Sequence, residues 1–242
     1  MNNAKGRWTI GIGACAMTAV MLFAVVAIGV GPAVADDAQD ARQLVERAHL
    51  TFESFSTDSN LGGNLRGLVN KARGVLIYPQ VFRGAFIFGG SGGSGVLLVR
   101  DAASGKWSGP AFYTIGEVSF GLQVGADASE VVLVALTDRG VTALLATSGK
   151  LGANASVAVG PLGAGVTGAT ANISADIVSY SRNKGLYAGL SLEGAVVAVR
   201  EALNTAYYGR DVTPGQILIQ REVSNPHAAG LIEAIAKVAG GS

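Results

Sequence analysis

The chain contains few of the residue types from which metal and thiol sites are built. Its 242 residues include one cysteine, Cys15, and two histidines, His49 and His227. Protein zinc sites draw their ligands mainly from clustered cysteines and histidines. Because these three residues are far apart in the sequence, we expect no metal site and no bound cofactor.

Two glycine motifs match catalytic or nucleotide-binding patterns in form only. Residues 89–93 satisfy G-x-S-x-G through Ser91, but a nucleophile elbow joins a strand to a helix, and here more glycine and an apolar run follow. Residues 163–168 satisfy G-x-G-x-x-G, but a strand-like segment follows them and Asp176 comes too early to be the ribose-binding acid. The first motif is better interpreted as a glycine-rich hairpin and the second as a linker, so the sequence predicts no enzyme.

Two groups of basic residues remain as candidates for binding. Lys71, Arg73 and Arg83 flank the first predicted pair of strands, and Arg182 and Lys184 flank a glycine turn. If the two groups converge on one face, they would hold a phosphate or an acidic lipid headgroup. If they lie apart, they are solvated loop charges, and the sequence leaves both interpretations open.

The hydrophobic pattern predicts helices at both ends of the chain and short strands between them. Helical spacing of apolar residues predicts helices over 37–55, 64–72, 140–147, 195–208, 214–218 and 228–238. Apolar or alternating runs predict strands over 74–79, 85–88, 96–99, 118–124, 131–136, 155–159, 173–181 and 186–192. We interpret 89–95 as a glycine-rich connector and 107–112 as a turn-rich stretch. Strands that follow one another without regular intervening helices indicate an α+β fold with a mainly antiparallel sheet or barrel-like core.

The N-terminal segment has the pattern of an export signal. Lys5 and Arg7 precede an uncharged apolar run over 10–30, and an A-x-A cleavage signal ends at Ala35. We expect cleavage after Ala35, which leaves residues 36–242 as a single domain in the periplasm or outside the cell. An uncleaved membrane anchor and lipid attachment at Cys15 are the alternatives.

The mature chain is close to neutral. Without Lys5 and Arg7 it has 16 basic and 17 acidic residues, which argues against binding of nucleic acid by bulk charge. It also lacks cysteine and forms no disulfide, so its stability must come from a core that a chain of this length can bury.

A series of sequence blocks resembles the SYLF domain family. The blocks occur in the family's order and cover nearly the whole mature chain. They lie at 72–79 (ARGVLIYP), 93–97, 107–112 (WSGPAF), 121–125, 155–161, 180–194 (YSRNKGLYAGLSLEG), 207–209 and 212–218. The chain departs from the family pattern at Asn154, where many relatives have Asp, and over 162–170, which is uncharged and rich in Gly and Ala.

The resemblance implies a binding function. In eukaryotic members it implies binding to phosphoinositide-rich membranes and, in yeast members, to actin, whereas bacterial members are mostly exported proteins. We therefore expect a non-enzymatic, exported domain that binds anionic lipid or another anionic surface of the cell envelope. The alternative is a structural or protein-interaction domain that binds an envelope or host protein without affinity for lipid, and actin enters only by family analogy.

Overall fold

Helices occupy both ends of the described chain, and strands occupy its middle. A computed structural model describes residues 33–85, 88–120, 125–160, 174–183 and 194–240. The helices are α1 (Ala33–Thr57), α2 (Gly62–Lys71), α3 (Asp138–Leu145), α4 (Glu201–Tyr208) and α5 (Ala229–Val238). The strands are β1 (Gly74–Ala85), β2 (Phe88–Arg100), β3 (Trp107–Phe120), β4 (Gly125–Ala135), β5 (Ser148–Lys150), β6 (Val157–Val159), β7 (Ile177–Asn183) and β8 (Val196–Val199). A π-helical turn (Gln216–Gln220) and a 3₁₀ turn (Pro226–Ala228) precede α5.

The eight strands form one sheet in the order β5-β8-β3-β2-β1-β4-β7-β6. Neighbouring strands are antiparallel except β6 and β7, which are parallel. The central order β4-β1-β2-β3 is that of a Greek key. The predicted α+β fold with a mainly antiparallel sheet and helices at both ends is therefore confirmed.

The sheet separates two hydrophobic clusters. Along β1, Val75 and Ile77 face the cluster that contains buried residues of α1, α2, α4 and α5, whereas Leu76 and Tyr78 face the opposite cluster. The second cluster includes residues of α3 and of the π-helical turn. Because both faces of the sheet are covered here, residues 75–78 of β1 and 131–135 of β4 are continuous apolar runs rather than alternating ones.

The glycine-rich segment 89–95 is not a connector but part of β2, and this prediction was wrong. At Gly95, an added Cβ atom would lie 2.5 Å from Cδ1 of the buried Tyr78. An added Cβ at Gly93 would overlap the Gln80 carbonyl oxygen of β1. These glycines therefore allow close approach of neighbouring groups within a regular ladder, and their abundance does not mark a loop.

Two further predictions were wrong in their element type. Residues 107–112 belong to β3. Pro110 lies where the register between β2 and β3 shifts, between the pairs Leu97–Ala111 and Val99–Ser108, which is a position where a strand tolerates proline. Residues 195–208 are not one helix, because the valine-rich segment Val196–Val199 pairs with β3 and β5 and α4 begins only at Glu201. Branched valines fit a pleated ladder better than a helix.

Several predicted features lie outside the described residues. They are the segment 1–32 with Cys15, the motif at 163–168 and the predicted strand at 186–192. The predicted cleavage position after Ala35 lies in the first turn of α1. Among the residues that the structure describes, no helix is both long and apolar enough to cross a bilayer.

Candidate anion-binding surface

Arg73 and Arg100 emerge from adjacent backbones at one end of the sheet. Arg73 immediately precedes β1, Arg100 is the last residue of β2, and the Arg100 N–H donates to the Arg73 carbonyl oxygen at 2.8 Å. The Arg73 Nε lies 3.7 Å from an Oδ1 of the exposed Asp138. Hairpin pairing thus brings together two arginines that are 27 positions apart in the sequence.

Arg100 also fixes the end of α2 beside this edge. Its Nη1 donates to the Asn70 carbonyl oxygen at 2.9 Å, and its Nε donates to the Gly105 carbonyl oxygen at 3.2 Å. A cation at the C-terminal carbonyls of a helix is favoured by the helix dipole. The contact holds Lys71, the last residue of α2, next to the two arginines.

These three cations line one shallow surface pocket of about 230 Å³, which we call the basic pocket. Its lining residues are Lys71, Ala72, Arg73, Arg100, Asp101, Ala102 and Gly105. The only carboxylate among them, Asp101, accepts from the Ser104 hydroxyl and N–H and pairs with Arg221. These contacts, the Ser104 hydroxyl above all, lower the pKa of Asp101 to about 2. Since Asp101 is already paired, the uncompensated charge of the pocket is positive.

Arg182 lies away from the basic pocket and has carboxylate partners of its own. Gly74 at the start of β1 and Ile177 at the start of β7 both pair with Ala135 of β4, so β1 and β7 start at the same end of the sheet. Arg182 follows Ile177 by five residues, or about 17 Å along the strand. Its side chain contacts Glu130 and Asp58. Two adjacent carboxylates oppose the approach of an anionic ligand to this arginine.

The remaining predicted cations are not brought to the basic pocket. Arg83 lies in β1 ten positions from Arg73, about 33 Å along an extended strand, and only its backbone is described. Lys184 lies outside the described residues. Of the five predicted site residues, the structure therefore brings together Lys71 and Arg73 only.

Arg100 is the residue that the sequence interpretation missed. The signal was available, because Arg100 directly follows the predicted strand 96–99 and Arg73 directly precedes the predicted strand 74–79. Pairing these two strands as a hairpin would have placed the arginines side by side. The interpretation of 89–95 as a connector hid that pairing.

Ser91 and His227, for which the sequence predicted neither a nucleophile elbow nor a metal site, have neighbours within the fold. Ser91 lies within β2, paired with Arg83 and Glu117, and not at a strand-to-helix turn. His227 Nε2 lies 3.2 Å from a Glu46 carboxylate oxygen, and its Nδ1 lies 3.3 Å from the Tyr207 hydroxyl. Within the described ranges, no group of three or more His, Cys, Asp or Glu residues is arranged to hold a metal ion.

Comparisons with known proteins identify the family. Residues 116–238 match the family described as Ysc84, Las17-binding protein actin regulator. The human SH3 domain-containing YSC84-like protein 1 is 36% identical over 154 residues, which cover 62% of this chain and 44% of the relative. The Xenopus laevis protein of the same name is 34% identical over 190 residues (76% of this chain and 56% of the relative). Protein YSC84 of Saccharomyces cerevisiae is 32% identical over 170 residues (68% and 36%).

The matches extend over only part of each relative. The chain spans about half the length of the vertebrate proteins and about a third of the length of the yeast protein. The matched family is described as a regulator of actin and not as a class of enzyme. The resemblance found in the sequence blocks is confirmed, and the chain belongs to the Ysc84, or SYLF, domain family.

Proposed function

We propose that the chain is a non-enzymatic domain that binds anionic membrane surfaces through the basic pocket. The observation that carries this proposal is that Lys71, Arg73 and Arg100 line one pocket whose only carboxylate, Asp101, is paired with Arg221. Clustered arginine and lysine side chains suit phosphate and carboxylate groups, because their N–H donors form charge-assisted hydrogen bonds with both.

The membrane is favoured as the source of the anionic group by the N-terminal segment. The basic start, the apolar run and the A-x-A signal support export, and an exported chain meets the outer surfaces of the envelope. The mature chain has nearly equal numbers of acidic and basic residues, so its attraction to an anionic surface depends on local clustering. Arg100 and Lys71 form no ion pair with any described residue. The positive charge of Lys71 and that of Arg100, whose Nε and Nη1 donate to uncharged carbonyl oxygens, therefore have no described carboxylate partner.

A protein partner is the second candidate. It is supported by the description of the matched family as a Las17-binding actin regulator. By that analogy the domain would act by holding a protein, which for an exported chain is an envelope or host protein rather than actin. This candidate requires no affinity for lipid, so vesicle binding separates the two.

The test is co-sedimentation of residues 32–242, one compact unit, with neutral and with anionic vesicles. Raising the salt concentration from about 50 to about 300 mM shortens the screening length about 2.5-fold. We expect binding to anionic vesicles only, weakened at the higher salt concentration. Lys71→Glu should weaken it further, and the matched charge reversal Lys150→Glu, at an exposed position on β5, should not.

Two outcomes would contradict the proposal. One is the absence of binding to either kind of vesicle, which would favour the protein partner. The other is an equal loss of binding in Lys71→Glu and Lys150→Glu, which would show that overall charge and not the basic pocket is responsible.

A further inference from the structure

A surface depression lies between α1 and α5. It has a volume of about 620 Å³, and we call it the α1–α5 groove. It is lined by Leu50, Glu53, Ser54, Ser56 and Thr57 of α1, by Arg66 of α2, and by Ala234, Lys237 and Val238 of α5. None of these residues lines the basic pocket.

The groove arises because α1 and α5 run in the same direction and leave a space along their C-terminal halves. Glu46 is in contact with His227, and an added Cβ on Gly230 would lie 3.2 Å from Cε1 of His49. Further along, the segments 50–57 and 234–238 face each other across the groove. The segment 50–57 extends over about 10 Å of helix, the length of about two turns of a third helix.

The chemistry of the groove is apolar at one wall and cationic at the rim. Leu50 is 64% exposed, the largest exposure among the exposed large hydrophobic residues of the described chain. Arg66 and Lys237 form no ion pair with any residue that the structure describes. Glu53 is the one carboxylate among the lining residues, so two cationic side chains against one acidic side chain leave the groove with a net positive charge.

The lining favours a peptide over an acyl chain. Three serine and threonine residues and one glutamate line the groove together with Leu50 and Val238. Burying the charged groups of Glu53, Arg66 and Lys237 against a hydrocarbon chain is unfavourable, whereas a peptide offers polar and charged side chains of its own. A recurring way for a peptide to fill a hydrophobic groove is as an amphipathic helix with apolar residues at i, i+3, i+4 and i+7.

We propose that the α1–α5 groove is a docking site for a short acidic amphipathic helix of a partner protein. Its apolar residues pack against Leu50, Ala234 and Val238, and its carboxylates approach Arg66 and Lys237. The proposal rests on the shape, exposure and charge of the groove and does not depend on lipid binding at the basic pocket.

The test begins with a phage-displayed library of random 16-residue peptides selected on the full chain. We expect enrichment of peptides that combine apolar residues at helical spacing with more Asp and Glu than Lys and Arg. A synthetic copy of the most enriched peptide is then titrated by fluorescence anisotropy. Leu50→Ser and Lys237→Glu should each raise its Kd about tenfold, because one removes the apolar anchor and the other reverses a rim charge.

Matched controls distinguish binding at the α1–α5 groove from nonspecific hydrophobic and electrostatic binding. Ile219→Ser removes an exposed apolar side chain from the π-helical turn, and Lys150→Glu reverses an exposed charge on β5. Both should leave the Kd within about twofold of the wild-type value, and Lys237→Glu should leave vesicle binding unchanged. The proposal is overturned if no acidic amphipathic peptide is enriched, if Leu50→Ser and Lys237→Glu bind it as the wild type does, or if the controls weaken binding equally.

Discussion

Arg182 on β7 lies directly opposite Glu130 on β4, and its Nε donates to Glu130 Oε2 at 3.0 Å. The same guanidinium donates from Nη2 to the Ser54 hydroxyl at 2.8 Å and lies 4.8 Å from the centre of the Phe55 ring. Its Nη1 lies 3.6 Å from a carboxylate oxygen of Asp58, just after α1. One side chain therefore attaches the C-terminal end of α1 to the sheet.

Replacing Arg182 should destabilise the fold. Arg182→Ala leaves Glu130, which is only 8% exposed, without its cross-strand partner. Breaking a fully buried ion pair costs about 3–5 kcal/mol, and the partial exposure of Arg182 reduces the expected loss to about 1–3 kcal/mol. Urea unfolding measures the change in the free energy of unfolding.

The control for this prediction is Arg210→Ala, which removes a more exposed pair with Glu222. It should change stability by no more than about 0.5 kcal/mol. If Arg182→Ala unfolds like the wild type but loses binding to anionic vesicles, Arg182 binds ligand, as the sequence predicted, and its role in holding α1 is refuted.

Asp101 should make the turn at residues 101–105 sensitive to acid. Hydrogen bonds from Ser104, with the Arg221 ion pair, lower the pKa of Asp101 to about 2. A lowered pKa means that the ionised carboxylate stabilises the folded state above the ordinary pKa of about 4, and that this contribution is lost as the pH falls toward 2. We expect Asp101→Asn to lower the urea midpoint at neutral pH.

The difference in urea midpoint between Asp101→Asn and the wild type should become smaller below about pH 4, because the protonated carboxyl then resembles the amide. Urea midpoints of both proteins across this range measure the difference. A difference that stays constant from neutral pH down to about pH 2.5 would exclude the lowered pKa of Asp101 as its cause.

Asn204 should be required for the junction between α4 and β3. It is fully buried, and its Oδ1 accepts from the Phe112 N–H at 3.0 Å. Asn204→Leu keeps the approximate volume but leaves that buried N–H without an acceptor, so we expect a loss of about 1–3 kcal/mol, measured by urea unfolding. The comparison is Asn70→Leu on the exposed side of α2, and equal effects of the two changes would argue against the hydrogen bond.

The sequence predicted those features that depend on local periodicity. Helical spacing placed Leu44, Ala48 and Phe52 on the buried face of α1, and the order of helices and strands gave the α+β class. It did not predict the partners of Arg182, because Glu130 and Asp58 are 52 and 124 positions away in the chain. The basic pocket was predicted only in part for the same reason. Lys71 and Arg73 lie close together in the sequence and were predicted, whereas Arg100 joins them only through strand pairing and was missed.

The two kinds of glycine in this chain should respond in opposite ways to alanine. In β2, Gly95→Ala forces a Cβ to within 2.5 Å of both the Ile77 carbonyl oxygen and the Tyr78 ring, and overpacking of this kind costs about 1–3 kcal/mol. In α2, Gly67→Ala meets nothing within 4 Å and should stabilise the helix by up to about 1 kcal/mol. Thermal and urea unfolding of both variants measure the changes. An unchanged free energy of unfolding in Gly95→Ala would contradict the close packing of Tyr78 over Gly95. It would agree instead with the flexible connector that the sequence predicted for residues 89–95.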